Sequence, residues 1–298
     1  MLGGSGQVGV GLASSLRAAG HEAVVTYYRT PVPGGVPLDI TDGRAVGELT
    51  RALRPDWVLC PAALASVDHC ERDPDLAWRV NVVGPLAAAA AANDQKASFV
   101  YYSSEYVFDG SEGPYGEGDP PNPLGVYGRT KLAAERGIPE RAESYLVLRT
   151  TVVYGPDPQE KNFVFQVLRA LRAGRRMRVP LDQVSSPTYG PDLARASVRL
   201  LELGCRGTYH VAGPEVCDRY TFARLIGETF RLDVSLLEAV PTATLGQTAR
   251  RPLQGGLKTE KLEAFLPGLM RTPSQGVAAL KQGLRLETGR TAGKGEDE

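Results

Sequence analysis

The sequence predicts an α/β fold in which a doubly wound parallel sheet is followed by a smaller mixed lobe. Three observations lead to this prediction. Short apolar runs alternate with helical stretches through the first half of the chain, as in β-α-β units whose strands are buried on both faces. A glycine-rich loop opens the first helix, and the regular alternation ends near Gly155. We therefore expect a first domain over residues 1–155 and a less regular lobe over residues 156–285.

The elements of the first domain follow from the length and periodicity of each apolar run. Strands are short continuous runs rich in β-branched and aromatic residues, whereas helices carry apolar residues three and four positions apart. In chain order these patterns predict a helix after the glycine loop, strand 22–28, helix 42–53, strand 57–60, helix 73–92, strand 98–102, helix 124–136 and strand 144–148.

The second lobe consists of helices separated by loops rich in proline and charge. Helices are predicted over 163–173, 192–203 and 222–230, and G-T-Y-H-V-A-G from residue 207 predicts a strand. We expect the helix near 190–204 to return to the first domain. Residues 286–298 lack apolar periodicity and are expected to form a disordered tail.

Composition and charge argue against several classes of protein. Lysine plus arginine and aspartate plus glutamate both total 34, so the net charge is zero and no basic field suggests a nucleic-acid partner. No apolar run of the sequence approaches the roughly 20 residues of a membrane span. The four cysteines lack C-x-x-C spacing. This favours a reduced, cytoplasmic protein without a metal site.

The N-terminal loop G-G-S-G-Q-V-G has the spacing of a dinucleotide-binding turn. Its glycines let the backbone approach a pyrophosphate, which the positive end of the following helix stabilises. Close helix–strand packing is the alternative explanation. A strand of about five residues normally precedes such a loop, so we expect the first strand to be truncated at Met1. The residues predicted to contact the cofactor here are Gly3, Ser5, Gly6, Gln7 and Val8.

Positions further along support a dinucleotide that carries a 2′-phosphate. Arg29 follows the second predicted strand, where an acidic residue would favour NAD and an arginine favours NADP. We therefore expect NADPH as the preferred cofactor, with NADH as the alternative. Asp39 and Ile40 are expected to flank the adenine by analogy with related folds, and Ala62 and Ala63 are small residues at a strand end. A surface arginine and ordinary loop alanines are the alternative explanations.

A serine, a tyrosine and a lysine form the second candidate site. Tyr127 and Lys131 are four residues apart on a predicted helix and therefore share a face. A nearby ammonium lowers the pKa of a phenol from about 10, which would let Tyr127 work as an acid–base. Ser104 ends a predicted parallel strand, at the edge where such sheets bind ligands. Y-x-x-x-K alone is common on solvated helices, but the glycine loop, serine pair and Y-x-x-x-K in this order are more specific.

In these motifs the chain resembles the extended short-chain dehydrogenase/reductases. It is most similar to the dTDP-4-dehydrorhamnose reductase family, which includes the regulatory β subunit of methionine adenosyltransferase. The resemblance covers nearly the whole chain and includes S-S-E-Y-V-F-D-G, P-P-N-P-L-G-V-Y-G-R-T-K and S-S-P-T-Y-G-P-D-L-A. It implies a Rossmann-type cofactor domain and a C-terminal nucleotide-sugar lobe. The implied activity is NAD(P)H-dependent reduction of a 4-keto-6-deoxy sugar carried on a nucleoside diphosphate.

The resemblance also implies roles for individual residues. Tyr127 would protonate the developing alkoxide, Lys131 would tune it and hold the nicotinamide ribose, and Ser104 would orient the carbonyl. Asn81 would support the active site beside the cofactor. A homodimer is typical of the superfamily. The residues implied along the substrate cleft are Glu105, Tyr106, Asn162, Ser186, Thr188 and Arg251, with Arg251 or Arg250 for the diphosphate.

The sequence departs from the family pattern at two positions, and two other functions stay open. Glu105 stands where the family usually has aspartate, and Val152 stands where its reductases often carry an aromatic residue. The change at Val152 removes a stacking platform for the sugar. It favours the first alternative, a non-catalytic NADP-binding subunit that regulates a partner enzyme. The second is a nucleotide-sugar epimerase or dehydratase with tightly held NAD, which Arg29 disfavours.

Overall fold

The protein is described by a computed structural model that covers residues 1–292. The strands are β1 (Thr26–Tyr27), β2 (Val36–Pro37), β3 (Trp57–Cys60), β4 (Ser98–Ser104), β5 (Tyr145–Thr150), β6 (Val153–Tyr154), β7 (Met177–Pro180), β8 (Val184–Ser185), β9 (Thr188–Tyr189), β10 (Gly207–His210), β11 (Cys217–Asp218) and β12 (Leu237–Val240). The α-helices are α1 (Gln7–Ala18), α2 (Gly43–Leu53), α3 (Val67–Arg72), α4 (Pro74–Trp78), α5 (Gly84–Asp94), α6 (Val126–Gly137), α7 (Phe163–Arg172), α8 (Gly190–Glu202), α9 (Arg219–Phe230), α10 (Glu260–Phe265) and α11 (Pro273–Ala292). Shorter turns are the π-helical turn Arg79–Val83 and the 3-10 turns Glu105–Val107, Val234–Leu236 and Thr242–Thr244.

The central sheet is parallel, with its strands in the order β10-β5-β4-β3. Beyond β3, the first two residues of the chain connect this sheet to the parallel pair β1–β2. The amide of Leu2 donates to the carbonyl of Leu59 at 2.8 Å, and the amide of Thr26 donates to the carbonyl of Met1 at 2.9 Å. Met1 and Leu2 thus lie where the strand order reverses, which is where such sheets bind ligands.

The second predicted strand is much shorter than expected. The sequence predicts residues 22–28, whereas β1 contains only Thr26 and Tyr27, which pair with β2. Residues 21–24 instead line a cavity of about 440 Å³ that residues 55–59 line from the other side. A strand needs a hydrogen-bonded neighbour along its length, and only Thr26 and Tyr27 pair in register with β2.

Helices cover both faces of the sheet because successive strand residues point in opposite directions. Along β4, Val100 and Tyr102 pack in one cluster with α1 and α8, while Phe99 and Tyr101 pack in another with α2, α5 and α6. Helix α8 packs in the same cluster as α1 of the first half of the chain. Strand β10 also comes from the second half and pairs with β5 at the sheet edge.

The helix predicted over residues 73–92 is interrupted by the π-helical turn Arg79–Val83. Helix α4 begins at Pro74, where the carboxylate of Asp73 accepts a hydrogen bond from the amide of Leu76 at 3.0 Å. The extra residue of a π-turn shifts the following side chains around the helix axis, and such turns are frequent at functional sites. Here the turn carries Asn81, which is completely buried.

The C-terminal lobe has its own core. Helices α7, α9 and α11 pack with β7 and β12 around a cluster that includes Tyr154, Phe165 and Phe222. Helix α11 continues to Ala292, past residue 286 where the sequence predicts a disordered tail, and residues 293–298 lie outside the described part of the chain. Among residues 1–292, no helix has the length and apolar character needed to cross a membrane.

Candidate active site

The glycine loop forms a cradle made of main chain. Gly3 has a φ of +93°, and a Cβ atom on it would lie 2.7 Å from the Cα atom of Ala62. A Cβ atom on Gly9 would lie 2.3 Å from the carbonyl oxygen of Gly3. Gly6 is the N-cap of α1 and has no side chain to bond the first amides of the helix. The glycines thus let the loop pack tightly against its neighbours, and no side chain of the N-cap residue occupies the helix N-terminus, where an anion can bind.

A cavity of about 520 Å³ lies in front of this cradle. Gln159 lines it and donates from Nε2 to the carbonyl of Ser5 at 2.9 Å. Lining residues outside the predicted set include His69, in the helix after β3, and Arg79, in the π-helical turn. The predicted cofactor residues that line the cavity are Gly3, Ser5, Gly6, Arg29, Asp39, Ile40, Ala62 and Ala63.

These residues fit a dinucleotide. The cavity runs from the open N-terminus of α1, which suits a pyrophosphate, to the exposed Arg29, whose guanidinium lies 5.2 Å from the ring centroid of Tyr28. The carboxylate of Asp39 accepts from the amide of Thr41 at 2.9 Å and from its hydroxyl at 2.8 Å, so it shapes the turn beside the cavity. Gln7 and Val8 lie in the first turn of α1 and do not line the cavity. The buried Nε2 of Gln7 has no hydrogen-bond partner, and it lies 3.9 Å from the position that a Cβ atom would take on Gly190 at the start of α8.

Ser104, Tyr127 and Lys131 meet at the carboxyl end of β4. Ser104 is the last residue of β4, and Tyr127 lies in the first turn of α6. A Cβ atom on Gly128 would lie 2.0 Å from the carbonyl oxygen of Tyr106, so α6 packs directly on the turn that follows Ser104. Lys131 is buried, and its Nζ donates to the carbonyl of Tyr102 at 2.9 Å and lies 5.8 Å from the ring centroid of Tyr127.

The pKa of Tyr127 differs from the sequence-based expectation. Burial raises it well above the usual value of a phenol, and a hydrogen bond with Ser104 opposes this shift only in part. We expected the ammonium of Lys131 to lower the pKa of Tyr127, whereas the largest effect is desolvation of the phenolate, which raises it. Burial also lowers the pKa of Lys131 to about 8. At neutral pH the phenol is therefore neutral and the lysine is still mostly protonated.

Asn81 supports this site from behind and does not face the cofactor cavity. Its Oδ1 accepts from the amide of Leu64 at 2.8 Å, and its Nδ2 donates to the hydroxyl of Thr130 at 3.2 Å. The side chain thereby joins the loop after β3 to helix α6. Asn81 thus has the supporting contacts that the resemblance implied, but its completely buried amide is bonded to protein and does not line the cavity as a cofactor contact.

Tyr106 extends the site towards the C-terminal lobe. Its ring meets that of Tyr127 edge to face, with the centroids 5.6 Å apart. Burial raises the pKa of Tyr106, and the positive charges of Arg251 and Arg219 oppose the shift. Arg251 also forms an ion pair with Asp68 at 2.9 Å. Arg219 was not singled out from the sequence, because one arginine at the start of a helix carries no distinguishing pattern.

Glu105 does not line an open cleft. Its side chain is buried, accepts from the hydroxyl of Thr151, and accepts from the amide of Gly256 at 2.9 Å. Burial raises the pKa of this carboxyl group. Val152 directly follows Thr151 and has a φ of +43°. This backbone conformation costs a β-branched residue about 1–3 kcal/mol. The buried carboxyl group therefore bridges Thr151 and Gly256 beside the strained connection between β5 and β6, and its contact with substrate stays a prediction.

Three further residues predicted along the substrate cleft also bond to main chain. Asn162 caps α7 and donates from Nδ2 to the carbonyl of Gly155 at 3.1 Å. The hydroxyl of Ser186 accepts from the amide of Leu257 at 3.1 Å, and the completely buried hydroxyl of Thr188 donates to the carbonyl of Ser186 at 3.0 Å. These side chains position the segments around the cleft, and their partners are protein groups. In the described part of the chain, no cluster of histidine, cysteine, aspartate or glutamate has the arrangement of a metal site.

Comparison with known proteins gives consistent relatives over nearly the whole chain. The family described as RmlD substrate binding domain matches residues 1–284. The probable low-salt glycan biosynthesis reductase Agl14 of Haloferax volcanii is 34% identical over 288 residues, which cover 94% of this chain and 96% of that protein. Methionine adenosyltransferase 2 subunit beta of Rattus norvegicus is 32% identical over 283 residues, which cover 92% of this chain and 83% of that protein.

Solved structures of similar proteins have the same fold. A dTDP-4-dehydrorhamnose reductase from Clostridium acetobutylicum superposes with a TM-score of 0.86 at 31% identity, covering 95% of this chain and 98% of that one. The dTDP-4-dehydrorhamnose reductase of Bacillus anthracis, solved in complex with NADP, has a TM-score of 0.85 at 29% identity, covering 95% and 97% of the two chains. The chain therefore belongs to the RmlD substrate binding domain family, and its fold is the Rossmann-type α/β fold that the sequence predicts.

Proposed function

We propose that the protein reduces the 4-keto group of a nucleoside-diphosphate 4-keto-6-deoxy sugar, with NADPH as reductant and Tyr127 as proton donor. The observation that carries this proposal is the meeting of Ser104, Tyr127 and Lys131 at the same sheet edge as the glycine cradle. The names of similar reductases, including dTDP-4-dehydrorhamnose reductases, support the substrate class. The NADP-bound relative supports the cofactor.

The cofactor is assigned to the cavity in front of the glycine loop. Gly3 and Gly6 would hold its pyrophosphate, because the closely packed loop leaves main-chain amides at the N-terminus of α1. Arg29 would face the 2′-phosphate, which favours NADPH over NADH. When bound, the nicotinamide supplies the hydride for the reduction.

Tyr127 is suited to the role of acid. Since burial raises its pKa, it holds its proton at neutral pH and can give it to the oxygen of a carbonyl that becomes an alkoxide. The Ser104 hydroxyl, hydrogen-bonded to Tyr127, would orient that oxygen. Lys131 would stabilise the phenolate after proton transfer, because its ammonium lies beside the ring and is still mostly protonated at pH 7.

A regulatory, non-catalytic role is the second candidate. The similarity to methionine adenosyltransferase 2 subunit beta favours it, as does the absence of an aromatic residue at Val152. In that case the protein would bind NADP and a partner enzyme without turning over a sugar. A homodimer and a cytoplasmic location complete the proposal, the latter because the four cysteines are free thiols.

The decisive experiment compares the wild-type protein with Tyr127→Phe in NADPH oxidation with dTDP-4-dehydro-6-deoxy-hexose. We expect the variant to lose activity by at least about 100-fold while binding NADPH as before, since only the acid is removed. Tyr145→Phe is the matched control, because Tyr145 begins β5 at the opposite end of the sheet. Equal activity of wild type and Tyr127→Phe would refute the proposed role of Tyr127. Tight NADPH binding without turnover by the wild type would favour the regulatory function.

A further inference from the structure

The first turn of α6, which carries Tyr127, is capped by a side chain from another helix. Gly125 is the N-cap residue of α6 and has no side chain that could accept from the first amides of the helix. Instead the amide of Val126 donates to Oε2 of Glu71 at 2.9 Å, and Glu71 belongs to α3, 55 positions earlier in the chain. Because Val126 directly precedes Tyr127, this hydrogen bond holds the main chain next to the proposed acid.

The cap of α6 differs from the other side-chain caps of the molecule. Helices α2, α4, α7 and α9 are each capped by their own N-cap residue, which is Asp42, Asp73, Asn162 and Asp218 in turn. A side-chain oxygen satisfies the first amides of a helix whether it comes from the N-cap residue or from another helix. A cap from another helix has a second effect, since it fixes the two helices relative to each other. The position of α6 relative to α3 therefore depends on Glu71.

Gly125 gives the carboxylate of Glu71 room to approach the helix. Gly125 is buried, and a Cβ atom on it would lie 3.1 Å from Oε2 of Glu71, which is a tight contact. Its φ of −125° is open to any residue, so backbone strain does not require glycine at this position. Among the side chains that the structure describes, none forms an ion pair with Glu71. The amide of Val126 is thus the partner to which this carboxylate is directed.

Helix α3 is itself fixed beside the cofactor cavity. His69 of α3 lines this cavity, as does Leu64 in the loop after β3. The thiol of Cys70 donates to the carbonyl of Leu64 at 3.2 Å, which joins α3 to this loop. Since Glu71 follows Cys70, one short helix carries both the contact to the cavity wall and the contact to α6.

The same turn of α6 is held from its other end as well. The carbonyl of Tyr127 accepts from the hydroxyl of Thr130 at 2.8 Å, and this hydroxyl accepts from Nδ2 of Asn81 at 3.2 Å. Glu71 holds the amide end, so removal of its carboxylate frees one end of the turn that carries the acid. A misplacement of about 1 Å at a reacting group can lower a rate about 100-fold.

We propose that Glu71 is a positioning residue, which places Tyr127 at the reacting distance from the cofactor and the keto sugar. The inference rests on the proposed function, since it concerns Tyr127 as the proton donor. Glu71 does not line the cofactor cavity, and it acts through the main chain of α6. Loss of its carboxylate should therefore lower kcat and leave the binding of NADPH unchanged.

Steady-state kinetics of Glu71→Ala and Glu71→Gln, with NADPH and dTDP-4-dehydro-6-deoxy-hexose, test this inference. For Glu71→Ala we expect kcat to fall about 10- to 100-fold, while the Kd for NADPH stays within about twofold of wild type. Glu71→Gln should recover most of kcat, because its amide oxygen can still accept from Val126. Asp42→Ala is the matched control, since it removes the oxygen that accepts from the amide of Ala45 at 3.0 Å at the start of α2. It should lower stability in the same way without changing kcat.

Gly125→Ala tests the same contact from the other partner and decides the matter if Glu71→Ala does not fold. The added methyl group pushes Oε2 of Glu71 away from the amide of Val126. We expect kcat to fall about 3- to 10-fold at unchanged NADPH affinity. Gly47→Ala is the matched control for this variant, because nothing lies within 4 Å of the position of its Cβ atom.

The outcomes separate this inference from the proposed function. A kcat of Glu71→Ala within about twofold of wild type overturns the inference and leaves the reductase standing. A loss of kcat that Asp42→Ala shares, or that Glu71→Gln does not reverse, has the same meaning. A parallel loss of NADPH affinity also overturns it, since Glu71 would then act on the cofactor. A wild-type protein that reduces no keto sugar overturns the proposed function, and the role of Glu71 with it.

Discussion

In the glycine loop, Gly3 and Gly6 bring main-chain amides to the edge of a cavity, whereas across the site Ser186 and Thr188 use their hydroxyls to hold the main chain together. The glycine loop is thus open to a ligand because Gly3 and Gly6 lack side chains. The substrate side contains many polar side chains, but most of them already form hydrogen bonds with other protein groups. Polar residue type alone is therefore a poor guide to ligand contact in a closely packed lobe, where buried polar groups must first be satisfied internally.

The largest expected effect tests the cofactor side. In Gly3→Ala the new methyl group meets the main chain of Ala62, which cannot move as a flexible side chain can, and the φ of +93° adds strain. We expect NADPH affinity, measured by fluorescence titration, to fall on the order of 100-fold through loss of main-chain hydrogen bonds to the pyrophosphate.

Gly20→Ala is the matched control for that variant. Gly20 has a φ of +84°, but nothing lies within 4 Å of the position of its Cβ atom. Alanine there should lower the free energy of unfolding by about 1 kcal/mol and leave NADPH affinity as it is. If Gly3→Ala bound NADPH within threefold of the wild type, the cavity would not be the cofactor site.

This contrast explains how far the sequence could predict the molecule. The parallel sheet and the cofactor loop follow from local rules, since a positive φ or a close approach at Gly3 requires glycine and strands require apolar runs. Tyr127 and Lys131 follow from helical spacing. Glu105 and Thr188 bond to main-chain groups far along the chain, at Gly256 and Gly213. No local sequence pattern predicts these partners.

Other features depended on tertiary context in the same way. The pKa of Tyr127 is set by how completely α6 covers it, which spacing does not reveal. The shortened β1 reflects how few of its residues pair with β2. Arg219 differs from other arginines only in its surroundings, which include Phe163, Tyr106 and Arg251. Local geometry can be predicted from sequence, whereas burial and long-range pairing can be determined only from the three-dimensional structure.

Thr188→Val tests the substrate side, with an effect on stability in place of binding. The hydroxyl of Thr188 donates to the carbonyl of Ser186 and accepts from the amide of Gly213 at 3.2 Å, and valine fills the same space without either bond. We expect the free energy of unfolding in urea to fall by about 1–3 kcal/mol, because two buried main-chain groups lose a partner. The kcat/KM for the sugar nucleotide should stay within twofold.

The exposed Thr244 provides the control for Thr188→Val, since water can replace its partners in Thr244→Val and little stability should be lost. The contrast between the glycine loop and the substrate side would be wrong if Thr188→Val raised the KM for the sugar nucleotide tenfold at unchanged stability. That result would mean that the hydroxyl contacts substrate and that its bonds to main chain are incidental.

The smallest expected effect concerns Glu105, and it appears as a dependence of stability on pH. Burial raises the pKa of this carboxyl group above its usual 4.5, so the folded protein keeps the proton to a higher pH than the unfolded chain does. Between pH 4.5 and the raised pKa the folded state binds more protons, and the stabilisation from Glu105 is therefore lost as the pH rises through this range. Above the raised pKa the contribution no longer changes.

Glu105→Gln removes this titration while its amide can still bond the hydroxyl of Thr151 and the amide of Gly256. We expect the variant to gain stability relative to the wild type as the pH is raised from 4.5, by about 1.4 kcal/mol for each unit by which the pKa is shifted. Urea unfolding of both proteins at a series of pH values measures the difference. Parallel stability curves would show that the carboxyl group is not desolvated, and that Glu105 faces the substrate cleft as the sequence suggested.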